Sequence, residues 1–307
     1  MCKGTNVNSE AAAALQDLDT KGPSLGSANS SSDRVSTLQD LEDYESRGFL
    51  HTRGVFDEET LGKLRGYVDE LQNAPEEKGG TMMYFEKSSL DGSRILSRIE
   101  DYCRHHAGMA ELFADPDSRL VRLAQELHGD EEMVLFKDKI NFKLSGGDGF
   151  KAHQDQQAGW GKVRSFSSIF LIVVSCLCLI AICGIQYINW FVTVAVIIDE
   201  ATIENGCLEV APGMHKQGLL GEEWKPIDDL DLPYEHVPCQ PGDVLVFDSY
   251  LPHRSGPNRS EKCRRAVFLT YNLRREGNHL ADYYADKRRE FPPDIERPEG
   301  VEYVYRV

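Results

Sequence analysis

The sequence is short of positive charge. Its 307 residues include 34 Lys and Arg against 50 Asp and Glu, which gives a formal net charge of -16 at pH 7. Because such a chain repels phosphates at long range, extended binding to nucleic acid or to an anionic membrane surface is not expected. If the protein acts on an anionic molecule, the positive charge that holds this molecule must be gathered in a local pocket.

The chain also lacks the cysteine patterns of zinc fingers and disulfide scaffolds. Its eight cysteines are scattered, and no C-x-x-C pair occurs among them. The N-terminus shows no cationic segment followed by an apolar one, as a secretory signal would, and Cys2 stands where myristoylation requires glycine. We therefore expect a reducing, cytoplasmic location.

The composition predicts one folded domain with an N-terminal extension. A chain with 41% hydrophobic residues can bury one sizeable core. Residues 1–35 are rich in Ser, Ala, Asn, Gly and Asp, and they predict a disordered tail. Asp57 is a candidate N-cap, and the apolar spacing after it predicts a helix. We interpret 36–307 as a single domain with a helical entry.

Later segments have the signature of a β protein. Residues 134–144 alternate apolar and polar side chains, which predicts a strand whose polar face carries Lys137, Lys139, Asn141 and Lys143. A solvated outer face commonly explains such a pattern, but the same lysines could line an anion-binding interior. Further short strands are predicted at 191–198, 207–210, 244–247 and 266–272. Many short strands in one chain indicate a sandwich or a barrel.

Two histidines and one aspartate provide a candidate metal site. His153 and Asp155 form an H-x-D motif, and His253 lies about a hundred residues further on. Two imidazoles and one carboxylate make the facial triad that holds Fe(II) with open coordination positions. In a strand, His153 and Asp155 would share a face and reach one ion together. An isolated H-x-D motif often occurs by chance, and a lone distal histidine is more often structural.

Arg264 is a candidate anion-binding residue. It stands eleven residues after His253, at the start of a predicted strand. Its guanidinium could form a bidentate pair with the distal carboxylate of a bound 2-oxo acid. The alternative is an ordinary surface arginine, and the spacing by itself does not decide between them.

Several short motifs resemble the phytanoyl-CoA dioxygenase family in their order and approximate spacing. They are Asn-Gly-Cys-Leu at 205–208, Ala-Pro-Gly at 211–213 with His215, Pro-Gly-Asp at 241–243, and His-Arg-Ser at 253–255 with Arg264. The resemblance covers roughly residues 40–307 apart from one interruption. It implies a mainly β fold, namely a double-stranded β-helix, the jelly-roll core of cupin-like proteins, with flanking α-helices.

The resemblance also implies a chemistry. The family members are Fe(II)- and 2-oxoglutarate-dependent dioxygenases, for which O2 is a co-substrate and ascorbate a reductant. Iron would be bound by His153, Asp155 and His253, and 2-oxoglutarate by Arg264. Arg98 and Lys139 match positions that provide further co-substrate contacts in the family. Ala195 stands where several relatives carry Trp, which alters the packing expected around the co-substrate.

The substrate expected from the resemblance is a small anion. Segments 153–160, 198–202 and 291–297 look most like the 2-aminoethylphosphonate dioxygenases, which hydroxylate the carbon next to phosphorus. Candidate substrate contacts are Asn141, Thr270 and Asn272, since the last two share strand parity with Arg264. The alternatives are a hydroxylase of a quaternary amine, an acyl thioester or a natural product, and a catalytically inactive binding protein. The intact triad disfavours the inactive protein.

One uncharged apolar segment interrupts the predicted core. Residues 166–185 are long enough to cross a membrane as a helix, yet both flanks must return to one barrel. We interpret 163–186 as a retained intron or a gene-model error, because Val163-Arg164 can be encoded by a splice donor and Gln186 by an acceptor ending. Without it, Lys162 joins Tyr187 and the resemblance continues unbroken. A membrane-anchored protein is the alternative, and it depends on this segment alone.

Overall fold

Short antiparallel strands and a few helices make up the structure. The computed structural model describes residues 34–160, 173–174, 177–178, 187–223, 225–301 and 303. The helices within this part are α1 (Leu38–Arg47), α2 (Glu58–Asn73), α3 (Ala107–Phe113), α4 (Arg119–Glu126) and α5 (Leu280–Glu290). The strands are β1 (Phe49–Thr52), β2 (Met82–Lys87), β3 (Arg94–Glu100), β4 (Met133–Lys143), β5 (Phe150–His153), β6 (Val173–Val174), β7 (Leu177–Cys178), β8 (Phe191–Ile197), β9 (Leu208–Val210), β10 (Glu235–Val237), β11 (Val244–Asp248), β12 (His253–Ser255) and β13 (Arg264–Leu273).

The first two helices begin where the local sequence caps them. Thr37 and Asp40 form a reciprocal capping box at the start of α1, and Gly48 ends this helix in the left-handed conformation at φ 79°. The Asp57 carboxylate accepts a hydrogen bond from the Thr60 amide at 2.8 Å, so the predicted N-cap of α2 is confirmed. Its buried face carries the apolar residues whose spacing predicts the helix, namely Leu61, Leu64, Val68 and Leu71.

Two sheets carry the fold. Seven strands form the major sheet in the order β1-β11-β8-β13-β4-β3-β2, and four form the minor sheet in the order β10-β9-β12-β5. Neighbouring strands pair antiparallel in both sheets. The predicted double-stranded β-helix is thereby confirmed, and five of its strands, β4, β8, β9, β11 and β13, lie where the sequence predicts strands.

Strand β4 shows which of the two explanations of its lysine face is right. On its apolar side Phe136, Ile140 and Phe142 are buried in the core. Helix α5 covers this side, and the Tyr284 hydroxyl donates to the carbonyl of Asp138 at 2.6 Å. The polar side therefore turns toward the minor sheet rather than toward solvent. The common expectation of a solvated outer face is wrong for this strand.

The predicted tail and the apolar interruption fall largely outside the described residues. Of the tail 1–35, only Arg34 and Val35 are described, and the Val35 amide donates to Glu126 at 2.9 Å. Of the segment 163–186, only β6 and β7 are described, and they pair with each other. No described helix is both long and apolar enough to cross a membrane. The interpretation of 163–186 as an intron product stays a prediction.

The flanks of this segment meet. The Trp160 carbonyl accepts a hydrogen bond from the Tyr187 amide at 3.1 Å. If 163–186 were absent, only Gly161 and Lys162 would separate these two residues, and the same bond would close a β-turn from the first residue to the fourth. The fold can therefore be continuous without the segment.

We expect the chain lacking 163–186 to keep its fold and to give more soluble protein. The flanks already meet through the Trp160–Tyr187 bond, and the deletion removes a run of apolar residues that favours aggregation. Circular dichroism and thermal unfolding check this, with a second variant that replaces 163–186 by a Gly/Ser segment of equal length. Loss of cooperative unfolding in the deletion variant alone would mean that the segment is part of the fold.

Candidate active site

The three predicted metal ligands meet at one edge of the minor sheet. His153 is the last residue of β5 and His253 the first of β12, and the two are direct partners across these strands. Their ring centroids lie 4.3 Å apart. The Asp155 Oδ1 atom lies 3.8 Å from the Nε2 atom of each histidine. One ion could therefore contact all three side chains.

Backbone carbonyls fix both imidazoles. The Nδ1 atom of His153 lies 2.7 Å from the carbonyl of Lys151, and that of His253 lies 3.0 Å from the carbonyl of Leu251. Because a carbonyl only accepts, each Nδ1 carries a proton and each Nε2 presents its lone pair to the centre of the triad. Metal-binding histidines typically have such a partner for the second ring nitrogen.

Asp155 is oriented by the major sheet. The Thr193 hydroxyl of β8 donates to its Oδ2 atom at 2.6 Å, which leaves Oδ1 directed at the imidazoles. Burial acts to raise the pKa of this carboxyl, but His253, His153 and the Thr193 bond together hold it below its usual value. The carboxylate is thus kept ionised, as a metal ligand must be.

One part of the sequence argument for His153 and Asp155 is wrong. Strand β5 ends at His153, and Asp155 opens a 3-10 turn that runs to Ala158. The Gln157 side chain accepts from the Gln154 amide at 2.8 Å and so stabilises the turn. The two ligands converge because the chain turns between them, not because they share a strand face. Two nitrogens and one oxygen on one side of the site nevertheless match the donor set of Fe(II).

A cationic pocket opens between the two sheets beside the triad. It encloses about 600 Å³, its open mouth included. Four of its described lining residues are basic, namely Lys137, Lys139, Arg254 and Arg264. Asp155 is the single carboxylate among the described lining residues. In a protein of strongly negative net charge, this pocket gathers the positive charge that an anionic ligand requires.

Arg264 lies at one end of the pocket. Its side chain is 5% exposed, and its Nη1 atom donates to the Gly206 carbonyl at 2.8 Å. Its Nε atom is buried with no hydrogen-bond partner among the described residues. Burial lowers the pKa of this guanidinium to about 10. A buried cation with an unused donor fits a bound carboxylate, which would satisfy both.

Two lysines of β4, Lys143 and Lys139, differ in their contacts. The Lys143 ammonium donates to Ser255 Oγ at 2.8 Å and to the Gly256 carbonyl at 2.6 Å, and burial next to Arg264 lowers its pKa to about 7. Lys139 faces the open pocket, 5.0 Å from the ring centre of Phe268. Burial and the neighbouring Lys137 lower its pKa to about 8.

The Asn-Gly-Cys-Leu motif positions this end of the pocket. Gly206 adopts φ 74°, and a Cβ atom there would lie 2.2 Å from the carbonyl oxygen of Gly256. Only glycine allows the two backbone segments to approach so closely. The approach places the Gly206 carbonyl against Arg264.

The other predicted site residues divide into two groups. Asn141 and Thr270 line the pocket, as predicted. Arg98 and Asn272 are not among the described lining residues. Arg98 pairs with Glu100 at 3.0 Å, and the fully buried Asn272 amide donates to the carbonyls of Leu273 and Gly277. The Asn272 side chain thus holds the end of β13, and its contact with substrate stays a prediction that this arrangement does not support.

The sequence argument missed Thr193 and Trp160. Thr193 is the one polar residue of the buried strand β8, and this isolated polar position was the signal that could have identified it. The Trp160 ring lines the pocket and packs against Phe136 and Phe191, 4.8 Å from each ring centre. Ala195, which stands where several relatives carry Trp, is buried and pairs with Phe268. A smaller side chain therefore lies beside the pocket wall.

Known proteins with related sequences support the same conclusion. A family model for phytanoyl-CoA dioxygenase (PhyH) matches residues 44–266. A 2-aminoethylphosphonate dioxygenase from an uncultured bacterium is 34% identical over 281 residues, which cover 87% of this chain and 93% of that protein. A methylphosphonate hydroxylase from Gimesia maris is 34% identical over 261 residues, which cover 83% of this chain and 88% of that protein.

A solved structure supports the fold. The chain matches EctD from S. alaskensis, crystallised with 2-oxoglutarate and 5-hydroxyectoine, with a TM-score of 0.59 at 20% identity. The match covers 81% of this chain and 80% of that one. The predicted family, fold class and enzyme class are confirmed. The chain belongs to the phytanoyl-CoA dioxygenase family, and it is a dioxygenase built on a double-stranded β-helix.

Proposed function

We propose that this protein is an Fe(II)- and 2-oxoglutarate-dependent hydroxylase of a small phosphonate, acting in the cytoplasm. The observation that carries the proposal is the convergence of His153, Asp155 and His253 at a pocket that holds four basic residues and one carboxylate. The two relatives at 34% identity act on phosphonates by name, and they supply the substrate class.

In this proposal the triad binds the metal, and the basic residues bind the co-substrate. The triad holds iron, which supplies the activation of O2 that is coupled to conversion of 2-oxoglutarate into succinate and CO2. Arg264 binds the distal carboxylate of 2-oxoglutarate with the help of its unused Nε donor, and Lys139 adds positive charge to the pocket. Burial of Arg264 excludes water from this pair and so strengthens it.

Substrate binding falls to the remaining polar residues of the pocket. Asn141 and Thr270 present an amide and a hydroxyl to the cavity. Both can hydrogen-bond a phosphonate oxygen. Holding the substrate carbon near the triad in one orientation is the main contribution that the protein makes to rate and selectivity.

Succinate formation tests this proposal. The full chain and the chain lacking 163–186 are each supplied with Fe(II), ascorbate, O2 and 2-oxoglutarate, with or without 2-aminoethylphosphonate or methylphosphonate. We expect a phosphonate to stimulate succinate formation at least severalfold. Tight 2-oxoglutarate binding without stimulation would retain the chemistry and exclude these substrates, which leaves amines, thioesters or natural products. Absence of iron and 2-oxoglutarate binding would indicate an inactive binding protein.

A further inference from the structure

The pocket has two cationic ends, and the strand register separates them. Arg264 pairs with Lys143 at one end of β13, and Thr270 pairs with Lys137 six residues further along. Six residues of antiparallel strand span about 20 Å. Thr270 also pairs with Thr193, whose hydroxyl holds Asp155. The Lys137 end of the pocket therefore lies level with the triad along β13. The backbone of Arg264 lies at the opposite end of this strand.

The Lys137 ammonium lies against aromatic rings at the edge of the pocket. Lys137 is half-buried, and its Nζ atom lies 5.4 Å from the ring centre of Trp160 and 5.9 Å from that of Tyr283. The contacts that the described residues make with this ammonium are these two ring contacts, and Asp155 is the one carboxylate among the described residues that line the pocket with it. Lys143 on the same face differs, because Ser255 and Gly256 occupy its donors.

The residues behind Lys137 do not neutralise it. Glu100 of the neighbouring strand β3 is a buried carboxylate, and it is already paired with the Arg98 Nε atom at 3.0 Å and with the Lys287 ammonium. Lys137 still acts on Glu100 through space, which places it at the edge of this cluster. Three cations thus share one carboxylate, and this end of the pocket retains an excess of positive charge that suits a dianion.

We propose that Lys137 is the specificity-determining residue that binds the phosphonate group of the substrate. The inference rests on the proposed function. The phosphonate group must lie close to the triad, because in a small molecule such as methylphosphonate the carbon that reacts is bonded directly to phosphorus. The Lys137 ammonium and the Thr270 hydroxyl are level with the triad and both face the pocket. Arg264 remains available for the co-substrate at the opposite end.

The proposal predicts a loss that is selective for the phosphonate. In the full chain, Lys137→Met keeps an unbranched side chain only one atom shorter and removes its charge. We expect a KM for 2-aminoethylphosphonate about tenfold to a hundredfold higher, the range for a lost hydrogen bond to a charged group. The Kd for 2-oxoglutarate should stay within about twofold. Lys137→Arg should restore most of the affinity because it restores the charge.

Two comparisons make the test specific. The preference of the wild type for 2-aminoethylphosphonate over 2-aminoethanesulfonate, a monoanion of similar shape, should fall in Lys137→Met. Lys87→Met removes a lysine from the exposed end of β2 and should change neither constant. Methylphosphonate binding to the anaerobic Fe(II) and 2-oxoglutarate complex, measured by calorimetry, reports on the subsite without turnover.

The outcomes separate this inference from the proposed function. Methylphosphonate binding that is lost in Lys137→Met supports the subsite even if no phosphonate stimulates succinate formation. An unchanged phosphonate KM, or an equal loss of 2-oxoglutarate affinity, would overturn the assignment while leaving the hydroxylase proposal intact. If the wild type binds neither phosphonate, both proposals fail.

Discussion

Asp155→Ala should lose iron-dependent turnover altogether. This carboxylate lies 3.8 Å from both imidazole Nε2 atoms, and no other carboxylate is among the described residues of the pocket. Loss of a group that only orients a metal ligand typically lowers metal affinity or activity by about 10- to 100-fold, so loss of the ligand itself should exceed this. Bound iron per chain and the rate of succinate formation are the two measurements.

A neighbouring carboxylate provides the control. Asp148 is exposed in the loop that leads to β5, so Asp148→Ala removes the same charge from a nearby position without touching the triad. It should bind iron as the wild type does. If Asp155→Ala also retained iron and turnover, the triad would not be the metal site, and the cluster of His51, Cys239 and Asp243 would need examination as the alternative.

Arg264→Ala should raise the KM for 2-oxoglutarate by about thirtyfold or more, with a smaller effect on kcat. Truncating one partner of a buried, hydrogen-bonded ion pair costs roughly 2 kcal/mol or more, and 1.4 kcal/mol corresponds to a factor of ten. The loss should appear in co-substrate binding, because the proposed contact is to a carboxylate that does not react. Titration of 2-oxoglutarate under anaerobic conditions measures it directly.

The adjacent arginine separates binding from folding. Arg265 points to the other side of β13, where its guanidinium pairs with Asp199 at 2.7 Å. Arg265→Ala should lower thermal stability and leave 2-oxoglutarate affinity unchanged. Arg264→Ala should have little effect on the stability of the ligand-free protein, because it removes a buried cation without a paired carboxylate. Unaltered 2-oxoglutarate affinity in Arg264→Ala would contradict the proposed role.

The ligand residues could be predicted from the sequence, but the way they converge could not. His153, Asp155 and His253 are identified by residue type, spacing and family resemblance. The strand argument for His153 and Asp155 failed because β5 ends early and Gln157 stabilises a turn. A two-residue alternation is too short to distinguish a strand from a turn that also brings the side chains together.

The orientation of β4 was equally beyond the sequence. Alternation defines two faces but does not say which one meets water, since an inward polar face and a solvated one have the same period. The decision lies in tertiary contacts such as that of Tyr284 with the carbonyl of Asp138. Asn272 shows the same limit: strand parity places it with Thr270, and β13 keeps a regular register with β8 through both residues, yet the Asn272 amide donates to the carbonyls of Leu273 and Gly277.

Because a hydrogen bond joins Trp160 and Tyr187, we expect the chain to tolerate inserted sequence between these two residues. The entropy of closing a flexible loop rises only with the logarithm of its length, so a loop of a few tens of residues costs about 3 kcal/mol. A reporter module with closely spaced termini could therefore replace residues 163–186 without separating the strands on either side. Because the Trp160 ring also lines the pocket, such a module would be anchored directly beside it.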